Sequence, residues 1–225
     1  MAIADLSLRT LNQRVAIGQL TLEEVACESL ELVSGDSDCF NVWAAIDADT
    51  ILDQAGELDR KISRREEAFP LAGELVGVKD VFCTSDYPTS MDSSSWKNRG
   101  QFDARVVAHA KMNGAVIFGK TKTAEFAVHD PPDTINSRYV DRAVGTSSSG
   151  SAVAVARNYV PIALGSQTAG SISRPASFVG VLGYKPTFGI LPRTGVLKTC
   201  DDFDTVGLLA RKADDCAYFL QHTQP

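Results

Sequence analysis

The chain has 225 residues, 44% of them hydrophobic, and no internal Pro/Ser-rich linker, so residues 1–225 read as a single domain with one sizeable core. A formal net charge of −6 provides no basic stripe to displace counterions from a phosphate backbone, which argues against nucleic acid as a ligand. The five cysteines, Cys27, Cys39, Cys83, Cys200 and Cys216, are scattered without a Cys-x-x-Cys pair; with neither a basic leader nor a run of about 18 apolar residues, they fit a reduced cytoplasmic protein without membrane contact.

In chain order, residues 6–20 place Leu8, Leu11 and Val15 at helical spacing until Gly18 interrupts them, and Thr21-Leu22-Glu23-Glu24 is a capping box that opens a second helix. A short strand is expected over residues 41–46 and a charged amphipathic helix over 48–65. Residues 75–81 form a nearly continuous apolar run broken by Lys79, the pattern of a buried strand. Period-two alternation turns Asp80 to the opposite face, away from the Lys79 amine. Two readings of Lys79 stand at this point. It ends the strand and snorkels to water, or it is buried, and desolvation supplies much of the roughly 4.6 kcal/mol that a neutral amine costs at pH 7 from a reference pKa of about 10.4.

Further along, Ser94-Ser95-Trp96-Lys97 fits the Ser-x-x-Lys pattern of penicillin-recognising enzymes, but its Ser-Asp-Asn and Lys-Thr-Gly partners are missing, so it reads as a surface loop. A helix is expected over residues 104–112 and a buried strand over 115–118. The stretch 114–121 satisfies the phosphate-loop pattern, yet its central residues Ala115, Val116, Ile117 and Phe118 make a strand rather than a phosphate cradle. Gly145-Thr146-Ser147-Ser148-Ser149-Gly150-Ser151 reads either as a flexible connection or as a tight turn. The small-residue helix expected over 151–157 favours the turn, because it sets the serines at a helix N-terminus where negative charge is stabilised. After a strand at 161–164, Ala169 and Gly170 precede Ser171 and let backbone N–H groups converge on one oxygen. His109, His129 and His222 lack ligand-like spacing, so no metal is expected, and no Gly-x-Ser-x-Gly elbow occurs. Alternating strands and helices imply an α/β fold.

Gly77-Val78-Lys79-Asp80, the serine-rich stretch 145–152 and the Ser171 segment running into Gly183-Tyr184-Lys185-Pro186-Thr187 occur in one order, with Ser171 24 residues after Ser147. In this the chain resembles the amidase signature hydrolases over most of its length. The resemblance implies α/β/α layers with a mixed central sheet. It makes Ser171 the nucleophile, Ser147 a bridging serine with a cis peptide bond, Lys79 the base and Ser148 a supporting residue. It also assigns an oxyanion hole to the N–H groups of Thr168, Ala169, Gly170 and Ser171. No cofactor is implied. Thr146 and Ser149 stand where many members have glycine, and Gln167 where many have Asp. Complete members continue beyond the last helix here, around Cys216 to Leu220, so the C-terminal part of the fold is expected to be missing. A last strand near Asp204-Thr205-Val206-Gly207 would then be left with an unpaired edge, predicting a homo-oligomer.

The implied function is hydrolysis of a small-molecule carboxamide through an acyl-enzyme. The alternative from another class is a catalytically silent, truncated homologue acting as a binding or assembly partner. The amide-hydrolysing subunit of a tRNA-dependent amidotransferase is a kindred reading that Gln167 and the short chain fit less well.

Overall fold

The computed structural model describes residues 3–36, 40–64, 68–96, 98–99 and 102–224. The chain begins with α1 (Leu8–Ala16), whose N-cap Ser7 accepts from the Thr10 amide and whose Leu8, Leu11 and Val15 are buried as their spacing predicts. In α2 (Leu22–Gly35) both bonds of the Thr21/Glu24 capping box are present. Next come β1 (Trp43–Ala45) and α3 (Ala48–Ser63), the latter capped by Asp47. The fully buried β2 (Leu75–Lys79) leads to a two-stranded ladder of β3 (Pro88–Thr89) and β4 (Asn98–Arg99). The rest of the chain folds as α4 (Arg105–Met112), β5 (Val116–Thr121), α5 (Ser149–Ala156), β6 (Ile162–Gln167), α6 (Ser173–Val179), β7 (Leu182–Tyr184), β8 (Thr205–Ala210) and α7 (Ala213–Thr223).

Six strands form one mixed sheet in the order β1-β5-β2-β6-β8-β7. β2 runs parallel to both β5 and β6, and the outer pairings are antiparallel. The architecture is therefore the expected α/β fold. Its central strands are apolar runs because helices cover them on both faces. The strand near residue 204 differs from expectation. β8 is not an edge: it lies between β6 and β7, and the edges are β7 and β1. The reason lies in the intervening α6 and β7, a short helix and a three-residue strand too brief for periodicity to reveal.

The small residues of α5 allow the close approach that the site requires. A Cβ on Gly150 would fall 2.5 Å from the Val42 carbonyl oxygen and 2.6 Å from the Lys122 nitrogen, so only glycine lets the helix start against that backbone. The stretch 114–121 is a strand entered through a Gly114 turn at φ +92°, not a phosphate loop. Its Lys120 is fully buried, with its amine 2.8 Å from Asp80 Oδ1 and donating to Thr89 Oγ1 at 2.7 Å. Among the described residues Cys27, Cys83, Cys200 and Cys216 are free thiols, and no helix is long and apolar enough to cross a membrane. Cys39 lies outside the described residues.

At the other end of β2, Glu74 is fully buried and neither carboxyl oxygen has a hydrogen-bond partner among the described residues. Burial, together with the Asp215 carboxyl that accepts from the Leu8 amide, lifts its pKa well above the usual carboxylate range. A group protonated more readily in the folded state loses its stabilising contribution as pH rises through the folded pKa. The variant Glu74→Met, which removes the ionisable group at similar length, is therefore expected to raise stability by about 1–3 kcal/mol at pH 8 and by less at pH 5. Thermal denaturation at the two pH values measures this, and an equal difference at both contradicts it.

Candidate active site

Strand β2 delivers Lys79 to the C-terminal end of the sheet with no exposed surface, so its amine does not snorkel. Nζ lies 2.7 Å from Ser147 Oγ and 2.9 Å from Ser166 Oγ, donating to both hydroxyls in its ammonium form. Burial brings its pKa down to about 7, opposed by the charge of Asp204. Asp80 faces away, as alternation requires, and its Oδ2 accepts from the Ser90 amide at 3.0 Å and the Ser90 hydroxyl at 2.5 Å.

The serine-rich stretch is a tight turn rather than a flexible connection. Gly145, at φ +78°, sits so close to Pro175 that a Cβ would lie 2.8 Å from its Cα. The Thr146–Ser147 peptide bond is cis. Ser149 Oγ donates to the Gly145 carbonyl at 2.7 Å, which closes the turn onto α5. Ser147 and Ser148 are both buried. The Ser148 amide donates to the Ser171 carbonyl at 3.2 Å, and its hydroxyl donates to the Ser166 carbonyl at 3.3 Å. Ser148 thus stitches the first serine loop to the second.

That second loop leaves the end of β6 and enters α6. Gln167 Oε1 accepts from the amides of Ile172 at 2.8 Å and Ser173 at 3.0 Å, so its amide oxygen caps the short helix as a carboxylate would. Among the described residues, the backbone N–H groups of Thr168, Ala169, Gly170 and Ser171 have no hydrogen-bond partner. Thr168 and Ala169 are exposed while Gly170 and Ser171 are half-buried, so this run of free donors faces solvent. Ser171 is tied to the first loop through its carbonyl, whereas its hydroxyl makes no hydrogen bond among the described residues. The fold therefore joins Lys79 to Ser147 directly and brings Ser171 beside them through backbone, without a Ser171–Ser147 hydroxyl contact. In unliganded sites such contacts are often loose and tighten only around substrate.

Three participants escape sequence reasoning. Ser166 is the second partner of the Lys79 amine, and Asp204 and Thr199 cluster with Thr168 next to it. Only strand register could have found them: β6 pairs with β2 on one side and β8 on the other, and that pairing is not written in local sequence. A narrow cleft beside Ser166 is lined by Ala127, Arg193, Val196, Leu197, Thr199 and Asp204. A larger groove of about 720 Å³, lined by Asn12, Ile62 and Phe69 among others, lies toward the opposite end of β2 and touches none of these residues.

The remaining sequence candidates lie apart. His109 contacts the Thr223 carbonyl at 3.1 Å, His222 packs edge-on to Tyr218 and His129 to Phe126; no group able to hold a metal ion occurs among the described residues. Ser94 is on an exposed turn, and Lys97 lies outside the described residues.

The Amidase family model matches residues 26–224. A glutamyl-tRNA(Gln) amidotransferase subunit from Symbiobacterium thermophilum is 37% identical over 224 residues, covering 96% of this chain and 46% of the relative. The corresponding subunit from Gloeothece citriformis is 35% identical over 221 residues, covering 95% and 46%. The crystal structure of native peptide amidase from Stenotrophomonas maltophilia superposes with a TM-score of 0.92 at 29% identity, covering 98% of this chain and 48% of that one. The chain spans about half the length of the relatives it matches.

The buried amine has a consequence for stability. A lysine whose pKa falls from 10.5 to about 7 on folding contributes stability above its unfolded pKa and loses it as pH drops through the folded value. Lys79→Met is therefore expected to be more stable than wild type at pH 7, with the gain shrinking by up to about 1.4 kcal/mol per pH unit toward pH 10. Thermal denaturation across that range checks it; a gain that grows with pH contradicts it.

Proposed function

The chain belongs to the Amidase family, and from that premise we propose that it hydrolyses the carbon–nitrogen bond of a small carboxamide through Ser171, Ser147 and Lys79. The observation that carries the reading is the 2.7 Å contact between the Lys79 amine and the Ser147 hydroxyl, in a site dry enough to hold the amine near neutrality. A neutral lysine accepts a proton at pH 7, which an ordinary lysine does not.

Proton accounting gives the steps. Ser171 Oγ attacks the amide carbonyl carbon while its proton passes to Ser147 Oγ, and the Ser147 proton passes to Lys79 Nζ. The carbonyl oxygen becomes an oxyanion, and the N–H groups of Thr168, Ala169, Gly170 and Ser171, without a partner among the described residues, are its proposed donors. Collapse of the intermediate breaks the C–N bond, and the reverse relay protonates the departing amine, ammonia for a primary amide. Water then attacks the Ser171 ester through the same relay and releases a carboxylic acid. Ser148 supports the site by holding the two loops together.

The amidotransferase-subunit reading gains support from two relatives of that name, and Gln167, which caps α6 through Oε1, does not weigh against it. A silent homologue that binds a partner is the second reading, favoured by the lack of a Ser171–Ser147 hydroxyl contact among the described residues. Self-association fits either reading, since Phe178, Tyr184, Phe188 and Phe203 are exposed on or near α6, β7 and β8. The free thiols suit a reducing cytoplasm.

A fluorophosphonate probe followed by mass spectrometry is expected to label Ser171. Ser171→Ala should abolish labelling and ammonia release from small carboxamides, and Lys79→Ala should reduce turnover by about a thousandfold or more. The acid limb of wild-type kcat/KM is expected near pH 7. Labelling elsewhere with Ser171 untouched, or near-normal turnover by Lys79→Ala, defeats the assignment. Sedimentation velocity at micromolar concentration is expected to show a dimer or larger species; a monomer removes the self-association claim.

A further inference from the structure

Asp204 is almost wholly buried at the foot of β8, and all its hydrogen-bonding capacity is turned toward the two segments that frame the site. Oδ1 accepts from the Thr168 hydroxyl at 2.5 Å and the Thr199 hydroxyl at 2.7 Å. Oδ2 accepts from the amides of Thr199 at 2.7 Å and Cys200 at 2.9 Å. Burial by itself would raise its pKa, but these four donors hold it below the usual carboxylate value, so the group is a fixed anion at neutral pH. Pairing of Gln167 with Thr205 puts Thr168 opposite Asp204 at the end of the ladder. Thr168 follows Ser166 by two residues, so their side chains share a face. Ser166 is bonded to the Lys79 amine. The carboxylate therefore stands on the Lys79 side of the sheet, about 7 Å further along it.

We propose that Asp204 is a positioning residue: its carboxylate anchors the hydroxyl of Thr168, first residue of the loop that carries Ser171, to the Thr199–Cys200 turn, and sets a permanent negative charge toward the Lys79 amine. This inference rests on the Ser171–Ser147–Lys79 reading above. Among the described residues no other charge does the same work. Asp80 and Lys120 occupy the opposite face and neutralise one another at 2.8 Å. At the cleft rim Arg193 and Lys198 both pair with Asp201, at 3.4 and 3.1 Å. β6 contributes no charged side chain at all; its partner for the amine is the neutral Ser166. Asp204 is thus the anion that keeps the buried lysine from losing its proton well below neutrality, and it fixes where the first free N–H of the loop points.

The two roles separate by mutation. With lysine labelled by ¹³C at Cε, the Lys79 resonance, assigned by its loss in Lys79→Met, is expected to titrate near pH 7 in wild type. Its midpoint is expected about one pH unit lower in Asp204→Asn and near the wild-type value in Asp204→Glu. An unchanged midpoint in Asp204→Asn overturns the electrostatic role. Labelling of Ser171 by a fluorophosphonate is expected to slow at least about tenfold in Thr168→Val and to recover in Thr168→Ser. Equal rates in these two variants overturn the anchoring role, and this arm stays decisive should Asp204→Asn fail to fold. Absence of any Ser171 labelling in wild type counts against the proposed function, while the lysine titration still tests Asp204.

Discussion

Burying the Lys79 amine is the constraint around which the remaining structure is arranged. No carboxylate lies within ion-pair distance of it among the described residues; the only partners close by are two hydroxyls, from Ser147 and Ser166. An isolated ammonium in a dry interior is costly, and the chain resolves the cost by letting the group approach neutrality rather than by pairing it. Its neighbour in sequence is treated in the opposite way. Asp80 is equally buried, but Lys120 meets its charge and the turn at Ser90 satisfies its second oxygen. Adjacent residues at the end of β2 thus carry one charge that titrates near pH 7 and one that is neutralised, pointing to opposite sides of the sheet.

Around the amine, two loops of small residues are locked to each other through backbone. Ser148 reaches the carbonyls of both Ser166 and Ser171, Gly145 presses on Pro175, and Gly150 presses on the Val42 and Lys122 backbone. Bulky side chains would hold these segments apart. Their absence brings two serine hydroxyls, and a run of N–H groups without a partner among the described residues, to the end of β2. Rigidity here also comes from capping: Gln167 satisfies the start of α6, and Ser149 bonds back to the Gly145 carbonyl. In the hydrolysis proposed above, loops fixed this way would need little reorganisation when charge develops on a bound carbonyl.

Much of this was legible in the sequence, for identifiable reasons. The Thr21 capping box, the apolar run of β2 and the helical spacing of Leu8, Leu11 and Val15 are local patterns, and each folds as its pattern requires. Residues 114–121 are likewise distinguishable from a phosphate loop because β-forming side chains fill their centre. What stayed hidden depends on partners distant in the chain. Ser166 is unremarkable until β6 aligns beside β2, and Asp204 is one of several aspartates around residue 200 until β8 aligns beside β6. The short α6 and β7 carry too few residues for a period to register, and for that reason local pattern alone points to β8 as the sheet's edge.

By itself the sequence determined the residue types: a lysine at 79 within an apolar run, two serine-bearing runs poor in side-chain bulk, and the order of helices and strands that makes an α/β fold. These follow from composition and periodicity, which act over a few residues and need no knowledge of the rest of the chain. Tertiary structure decided whether Lys79 is wet or dry. Its segment allows both a snorkelling cation and a buried amine, and only the strands and helix packed around it remove the water. The same packing decided that Ser147 rather than a nearer residue meets the amine, and that Asp204 faces the site across β6. Charge state and proximity are set by what surrounds a group, and those surroundings come from segments far apart in the chain.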